Sequence, residues 1–324
     1  MNGFCRSLAS VAALALLVFG AAANAQTTYP DRPVKIIVPI GPGGSYDLVG
    51  RHLADVLSRR MGQTFVVENK PGAGTVVGTQ AASQSDPDGY TLVMGGLSNM
   101  AFNSALYSKL GYDPLRDFVP VALVYRFGYV MVGRKDMPQT RLADIVAAAK
   151  ANPGSISVAT AGVGTGQQLV AAAFMKAAGV KLLEVPYKGS PPAFTDLLAG
   201  RIDLFFDSIA AGLPYVQSGQ ARGIAVLSSK RSPLAPDVPT MSEAGVPGLD
   251  VDSWLGIFVP AKTPQDVIAK LRTDIRASLP DLKERFEKSG GEVWDLPNDR
   301  LDAFVASEYE NWTRLIREAG IKLD

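Results

Sequence analysis

Short β-branched runs alternating with amphipathic stretches organise this chain. Val34, Ile36, Ile37, Val38 and Ile40 form a strand-type run that stops at Gly41, Pro42, Gly43 and Gly44, residues that cannot prolong a strand and force a turn. Beyond the turn, Asp47, Leu48, Val49, Leu53, Val56 and Leu57 recur at helical spacing, which predicts a helix whose N-terminus faces the same crevice as the glycine loop. The beat continues with a strand at Thr64 to Glu68, a turn at Asn69 to Gly74, a helix at Thr75 to Ser83, a turn at Asp86 to Gly89 and a strand at Tyr90 to Met94. This alternation predicts a parallel sheet with crossover helices. Ligands of such sheets bind outside the carboxyl ends of the strands, here near Gly41, Asn69 and Gly95.

The second half repeats the device. After two apolar runs within Val119 to Val132 and an amphipathic helix at Leu142 to Ala151, a strand at Ile156 to Thr160 runs into Ala161, Gly162, Val163, Gly164, Thr165, Gly166, Gln167 and Gln168. A helix at Leu169 to Ala178 follows, about 120 residues after the first unit. The duplication predicts two similar lobes whose glycine loops face each other. Strands at Leu182 to Pro186 and Ile202 to Phe206 end at Lys188 and Asp207, where polar groups commonly face a cleft, although either residue also suits a cap or a surface ion pair. Buried strands at Ile224 to Leu227 and Trp254 to Val259 precede helices at Pro264 to Leu279, Pro280 to Ser289 and Asp299 to Ala319. The last of these carries Phe304, Tyr309, Trp312, Leu315 and Ile316, a stripe that reads as core.

The glycine loops are where chemistry enters. Gly43 and Gly44 let a ligand approach the main chain, a helix N-terminus favours an anion, and Ser45 and Asp47 add short polar side chains at cap-like positions. Glycine also serves simply to make the turn in any α/β fold, so the loop alone leaves ligand contact open. It is not a Walker loop, because Ser45-Tyr46-Asp47 stand where Lys and Ser/Thr are needed. Gly162-x-Gly164 lacks the third glycine of a dinucleotide fingerprint, which has Gln167 instead, and no G-x-S-x-G elbow occurs.

Composition narrows the class further. Arg6, the apolar run Leu8 to Gly20 and Ala23-Asn24-Ala25 have the form of a secretory leader cleaved after Ala25. Cleavage leaves 299 of the 324 residues and removes Cys5, the single cysteine, so disulfides and a thiol nucleophile are not expected. No later stretch is long and apolar enough for a membrane span, and an exported, soluble, periplasmic protein is expected. Without Arg6 the chain holds 31 basic and 31 acidic residues with no block of like charge, which removes the usual footprint for nucleic acid or anionic membranes. With His52 as the single histidine, no metal site and no cofactor are expected.

A string of motifs resembles one family. These are Tyr29-Pro30-x-Arg32-Pro33, Pro42-Gly43-Gly44-x-x-Asp47, Gly62-Gln63, Val66 to Gly74, Pro87-Asp88-Gly89-Tyr90-Thr91-Leu92, Val185-Pro186-Tyr187-Lys188-Gly189, Asp196-Leu197-Leu198-x-Gly200, Asp207, Pro239-Thr240-x-x-Glu243-x-Gly245 and Trp254-x-Gly256. In this order they resemble the solute receptors of tripartite tricarboxylate transporters, the Bug-type periplasmic binding proteins, over nearly the whole mature chain. The resemblance implies an α/β, two-lobed periplasmic binding protein (type II-like), each lobe a mainly parallel sheet flanked by helices, with the ligand cleft between them. Lobe one takes residues 26–126 and 252–324, and lobe two residues 127–251. It implies a small organic carboxylate held by main-chain groups of both loops. Gly43, Gly44, Ser45, Tyr46 and Asp47 stand on one side, and Ala161, Gly162, Gly164, Thr165 and Gly166 on the other, with Ser98, Asn99, Lys188 and Asp207 counted to the site.

Two departures bear on the ligand. Gln168 stands where many members have histidine, and Tyr46 stands where a small residue is frequent. They leave aromatic carboxylates and amino acids open beside di- and tricarboxylates. The expected function is a monomeric receptor that delivers its ligand to membrane transporter subunits; the same cleft would also serve a sensor feeding a signalling partner. An exported hydrolase using Ser45 or Asp47 is the competing class, but the usual base for a serine nucleophile is missing.

Overall fold

The computed structural model describes residues 29–318 and 322; the leader expected over residues 1–25 lies outside them. The first unit runs β1 (Val34–Val38), α1 (Ser45–Met61), β2 (Phe65–Asn69), α2 (Val76–Ser83) and β3 (Thr91–Gly96), close to the predicted bounds. In β1 only Lys35 is exposed, because α1 and α2 both pack on the strand; cover on two sides is what a continuous apolar run requires. Gly62 ends α1 in the left-handed region (φ 71°) and returns its N–H to Ser58 O at 3.2 Å.

After β3 the chain makes a π-helical turn at Ser98–Phe102 and a short α3 (Asn103–Leu106). The two apolar runs of Val119 to Val132 then prove to be one strand, β4 (Phe118–Arg134). The second unit follows as α4 (Leu142–Ala151), β5 (Ser157–Thr160), α5 (Gly166–Ala178), β6 (Leu183–Pro186), α6 (Ser190–Leu198), β7 (Leu204–Ser208), α7 (Ile209–Gln217) and β8 (Ala221–Val226). The chain returns through β9 (Asp252–Pro260), α8 (Gln265–Lys288), β10 (Gly291–Val293) and α9 (Leu301–Glu318).

One ten-stranded sheet runs in the order β2-β1-β3-β9-β4-β7-β5-β6, with β8 and β10 also pairing with β4. β1 is parallel to β2 and β3, and β5 is parallel to β6 and β7. Each half thus keeps the three-stranded parallel core that the alternation predicted. The sheet as a whole is mixed, because β9 and β4 join the halves antiparallel. Residues up to Gly128 of β4 pair with β9, and those from Tyr129 pair with β7. β4 therefore changes partners at the middle of the molecule, and each half has its own apolar cluster, one around Phe102, Trp254 and Phe258 and one around Phe194, Phe205 and Val130.

The carboxy-terminal helices correct two expectations. Pro280 does not divide α8, which is continuous. Leu271, Ile275, Leu279, Leu282 and Phe286 are buried along one stripe that passes the proline, and Pro280 itself faces solvent; burial of that stripe outweighs the hydrogen bond a proline removes. In α9, Trp312 meets Phe102 edge-on at 4.9 Å, Ile316 is buried, and Leu315 is 47% exposed on the opposite face.

Candidate functional site

The two glycine loops line one space, each packed against a segment of the other half. A Cβ on Gly43 would stand 2.9 Å from Pro191 Cγ, one on Gly41 3.2 Å from Lys188 O, and one on Gly74 would overlap the Val163 carbonyl. Between them lies a cavity of about 520 Å³, bounded by Pro39 to Gly41, Pro71 to Thr75, Ala161 to Val163 with Thr165, and Pro186 to Gly189. Its volume is that of a small-molecule site. Of the residues lining it, Lys188 alone carries a charge.

The first loop is built around Asp47. Its carboxylate is buried and accepts from Gly43 N at 3.0 Å, Asn69 Nδ2 at 2.9 Å, and Arg51 Nε and Nη2 at 3.0 and 2.9 Å. Burial pushes the Asp47 carboxyl up, but the bonds from Arg51, Gly43 and Asn69 outweigh it and hold the group below its ordinary range. Asn69 also donates to Ile40 O at 3.1 Å, tying the loop to the end of β2. Asp47 therefore faces the loop and not the cavity. The N–H groups of Ser45 and Tyr46, in the first turn of α1, lie ahead of any intrahelical acceptor.

The second loop is fixed in the same manner. Gly162 and Gly164 take φ of 129° and 78°, values that favour glycine. Thr165 Oγ1 donates to Gly162 O at 2.6 Å, and Gln168 Oε1 accepts from Gly164 N at 2.8 Å while its Nε2 reaches Glu184 at 3.2 Å. Gln168 thus secures the loop from behind. Gly166 N donates to Ser98 Oγ at 3.0 Å, a direct bond between the two halves. Asn99 is fully buried, accepting from Gly96 N and donating to Thr79 and Met94 O; it holds the end of β3 and does not line the cavity.

Below the cavity, and sharing Ile40, Ala161, Thr165 and Gly189 with it, is an inner chamber of about 20 Å³. That is room for roughly one water-sized group. Ser45 and Tyr46 stand on one side, Gln167 and Ser190 on the other, with Ser98 and Tyr129 completing the wall. Burial drives the Tyr46 hydroxyl far above its usual range and the Tyr129 hydroxyl up to about 12, so both are neutral.

Asp207 lies behind this chamber within β7, fully buried, and not past the strand end as the apolar run suggested. Its Oδ1 accepts from Gln167 Nε2 at 2.9 Å and Ser208 N at 2.7 Å. The Ser190 hydroxyl lies against the carboxylate without hydrogen-bonding geometry to Oδ2, which has no partner. Burial dominates, and raises its pKa to about 6.

The sequence pattern marks Gln168 but not Gln167, and it does not assign Ser190, Tyr129 or the turn at Gly72 to Thr75 to the site. Asn103 Nδ2 holds that turn through Gly74 O and Thr75 Oγ1 at 3.1 and 3.0 Å. Ala73 and Thr75 take positive φ there, 41° and 81°, a conformation rare for a β-branched residue. A larger hollow of about 630 Å³ lies elsewhere, between Gly128, Ile209 and Gly290. Its charges neutralise one another, as in Arg126–Asp252 at 2.7 Å and Lys288–Glu284 at 2.6 Å, and neither glycine loop lines it.

Residues 49–321 match the family model described as tripartite tricarboxylate transporter family receptor. The chain belongs to this receptor family. Its fold superposes on the structure of periplasmic binding protein BugD with a TM-score of 0.87 at 36% identity, over 91% of this chain and 100% of that one. R. palustris Rpa4515 with adipate gives 0.87 at 32% identity, over 91% and 100%. MatC from Rhodopseudomonas palustris with bound malate gives 0.84 at 31%, over 89% and 100%. Membership of a receptor family accounts for a site made of turns and helix starts around a space. Among the described residues no helix is long and apolar enough to cross a membrane, and no group of three or more His, Cys, Asp or Glu is placed to hold a metal.

Proposed function

We propose that this chain is an extracytoplasmic solute receptor that captures a small organic carboxylate in the 520 Å³ cavity and delivers it to membrane subunits of a tripartite transporter. The halves of the sheet act as lobes, residues 26–126 with 252–324 and residues 127–251, closing on the ligand. The observation that carries this reading is the composition of the cavity wall: two glycine loops leading into α1 and α5, no acidic residue, and Lys188 as the one charge. Helix N-termini and main-chain N–H groups favour an anion. Lys188 is exposed at the rim, and no acid pairs with it among the described residues, which suits it to a second carboxylate at the outer end of the ligand. Adipate and malate in the two related structures are dicarboxylates, in keeping with this reading.

Ligand handling here is capture without chemistry. Ser45 faces the inner chamber, whereas His52 lies on α1 with its ring 6.5 Å from Phe286 of α8, so the hydroxyl has no imidazole to serve as base. The protein acts in the periplasm as a monomer and takes no cofactor. A thermal-shift screen against mono-, di- and tricarboxylates, aromatic acids and amino acids tests the reading, since a ligand at about 100 times its Kd adds roughly 2.7 kcal/mol to stability. Stabilisation by cationic or neutral solutes alone, with none from any carboxylate, would overturn it.

A further inference from the structure

The inner chamber has a polarity that its hydrogen bonds dictate. On the α1 side it meets Ser45, whose hydroxyl proton has no acceptor among the described residues, beside the free N–H groups of the first helical turn. On the other side two side-chain donors are already committed. Thr165 Oγ1 gives its proton to Gly162 O at 2.6 Å, and Gln167 gives Nε2 to Asp207 Oδ1 at 2.9 Å. An ionised carboxylate only accepts, so Asp207 fixes which end of the Gln167 amide faces it. The amide therefore presents Oε1 to the chamber, beside the Ser190 oxygen. The space thus holds a side-chain acceptor, Gln167 Oε1, about one water-sized group from the donors of the first loop.

We propose that this chamber receives a hydroxyl or amino group carried on the carbon next to the ligand's carboxylate, so that the receptor selects 2-hydroxy- or 2-amino-carboxylates over their unsubstituted parents. This rests on the carboxylate reading above and narrows it. A carboxylate at the α1 side is satisfied by N–H and hydroxyl donors. A neighbouring methylene leaves Gln167 Oε1 desolvated and unpaired, whereas a hydroxyl or amine donates to it. Sites built to bond a ligand donor reject the analogue that lacks it far more strongly than apolar sites reject a missing methylene. Buried negative charge behind Gln167 adds a further bias towards an ammonium group when Asp207 is ionised.

The test is calorimetric titration of the purified protein with matched series: succinate, malate and aspartate; glutarate, 2-hydroxyglutarate and glutamate; phenylacetate, mandelate and phenylalanine. In the series that fits the outer cavity, the substituted member should bind at least tenfold more tightly than its parent. Gln167→Met, which keeps length and volume but removes the acceptor, should cut that ratio below twofold. A preference for the hydroxy acid assigns the chamber to a neutral donor, and one for the amino acid assigns it to a cation; both support the proposal. Equal binding of parent and substituted acids, or a ratio unchanged in Gln167→Met, overturns it and leaves the carboxylate receptor standing. Binding by no member of any series overturns both. Should Gln167→Met fail to fold, the wild-type ratio decides alone.

Discussion

Replacing Asp47 by asparagine keeps the shape of the node that organises the first glycine loop and removes its charge. The native carboxylate takes protons from Gly43 N, Asn69 Nδ2 and two nitrogens of Arg51, all within 3.0 Å. An asparagine oxygen keeps part of this set, while its NH2 is turned on groups that are themselves donors. A hydrogen bond to a charged group contributes about 1.5–3 kcal/mol. Because the Arg51 side chain is 52% exposed, its share is reduced by solvent, and the Gly43 and Asn69 bonds carry most of the effect. The expected loss is about 2 kcal/mol, or a Tm lower by about 3 °C for a chain of this size. Urea unfolding of wild type, Asp47→Asn, Arg51→Gln and the double variant measures it. If Arg51 acts through Asp47, the double variant is no worse than Asp47→Asn by more than about 0.5 kcal/mol. The folded pKa of Asp47 is depressed, so its contribution is complete above the unfolded value of about 3.9 and vanishes as pH falls through the folded one. The gap between wild type and Asp47→Asn should therefore close below about pH 4. Equal stability of the two proteins at pH 7 would refute the node.

Asp207 titrates in the opposite sense: its folded pKa of about 6 exceeds the unfolded value, so wild-type stability should decline from about pH 4 to pH 6 by on the order of 3 kcal/mol and then level off. Asp207→Asn should flatten that stretch of the urea midpoint profile, and a wild-type profile already flat there rejects the assignment. Lys188→Met should weaken dicarboxylates about fivefold, roughly 1 kcal/mol, and leave monocarboxylates unchanged in calorimetry; equal losses in both would place the lysine outside the ligand's reach. Gly74→Ala puts a methyl into the Val163 carbonyl across the cleft, so ligand-dependent thermal stabilisation should be lost from a protein that still folds. A full ligand shift in that variant would show that closure does not need this contact.

Much of this architecture is legible in the sequence because each half obeys local rules. β1 and α1 follow from a β-branched run, a glycine turn and a 3.6-residue stripe, and β5 with α5 follows from the same signals. What the pattern hides is long-range. Nothing local says that β4 is one strand serving both halves, or that Tyr129 stands where its partners change. The network around Asp47 spans Gly43, Arg51 and Asn69; Arg51 follows at i,i+4 on the helix, but Asn69 arrives from another strand.

Gln167 is the instructive case, because a signal for it was present. The stripe of α5 contains Val170, Ala171, Phe174 and Ala178, all buried. Carried back by three, four and seven residues it lands on Gln167, which is itself 9% exposed, whereas Gln168 falls about 100° further round. A glutamine on the apolar stripe of a helix must find a polar partner inside, since an unpaired buried amide costs about 1–3 kcal/mol. The only places such a partner can lie are the strands the helix covers. Asp207, at the end of the fully buried β7, is the acid on those strands that is itself fully buried. Each residue alone reads as a misplaced polar group. As a pair the Gln167 amide satisfies one oxygen of Asp207, and what remains directed at the chamber is one amide oxygen whose orientation is decided from behind it.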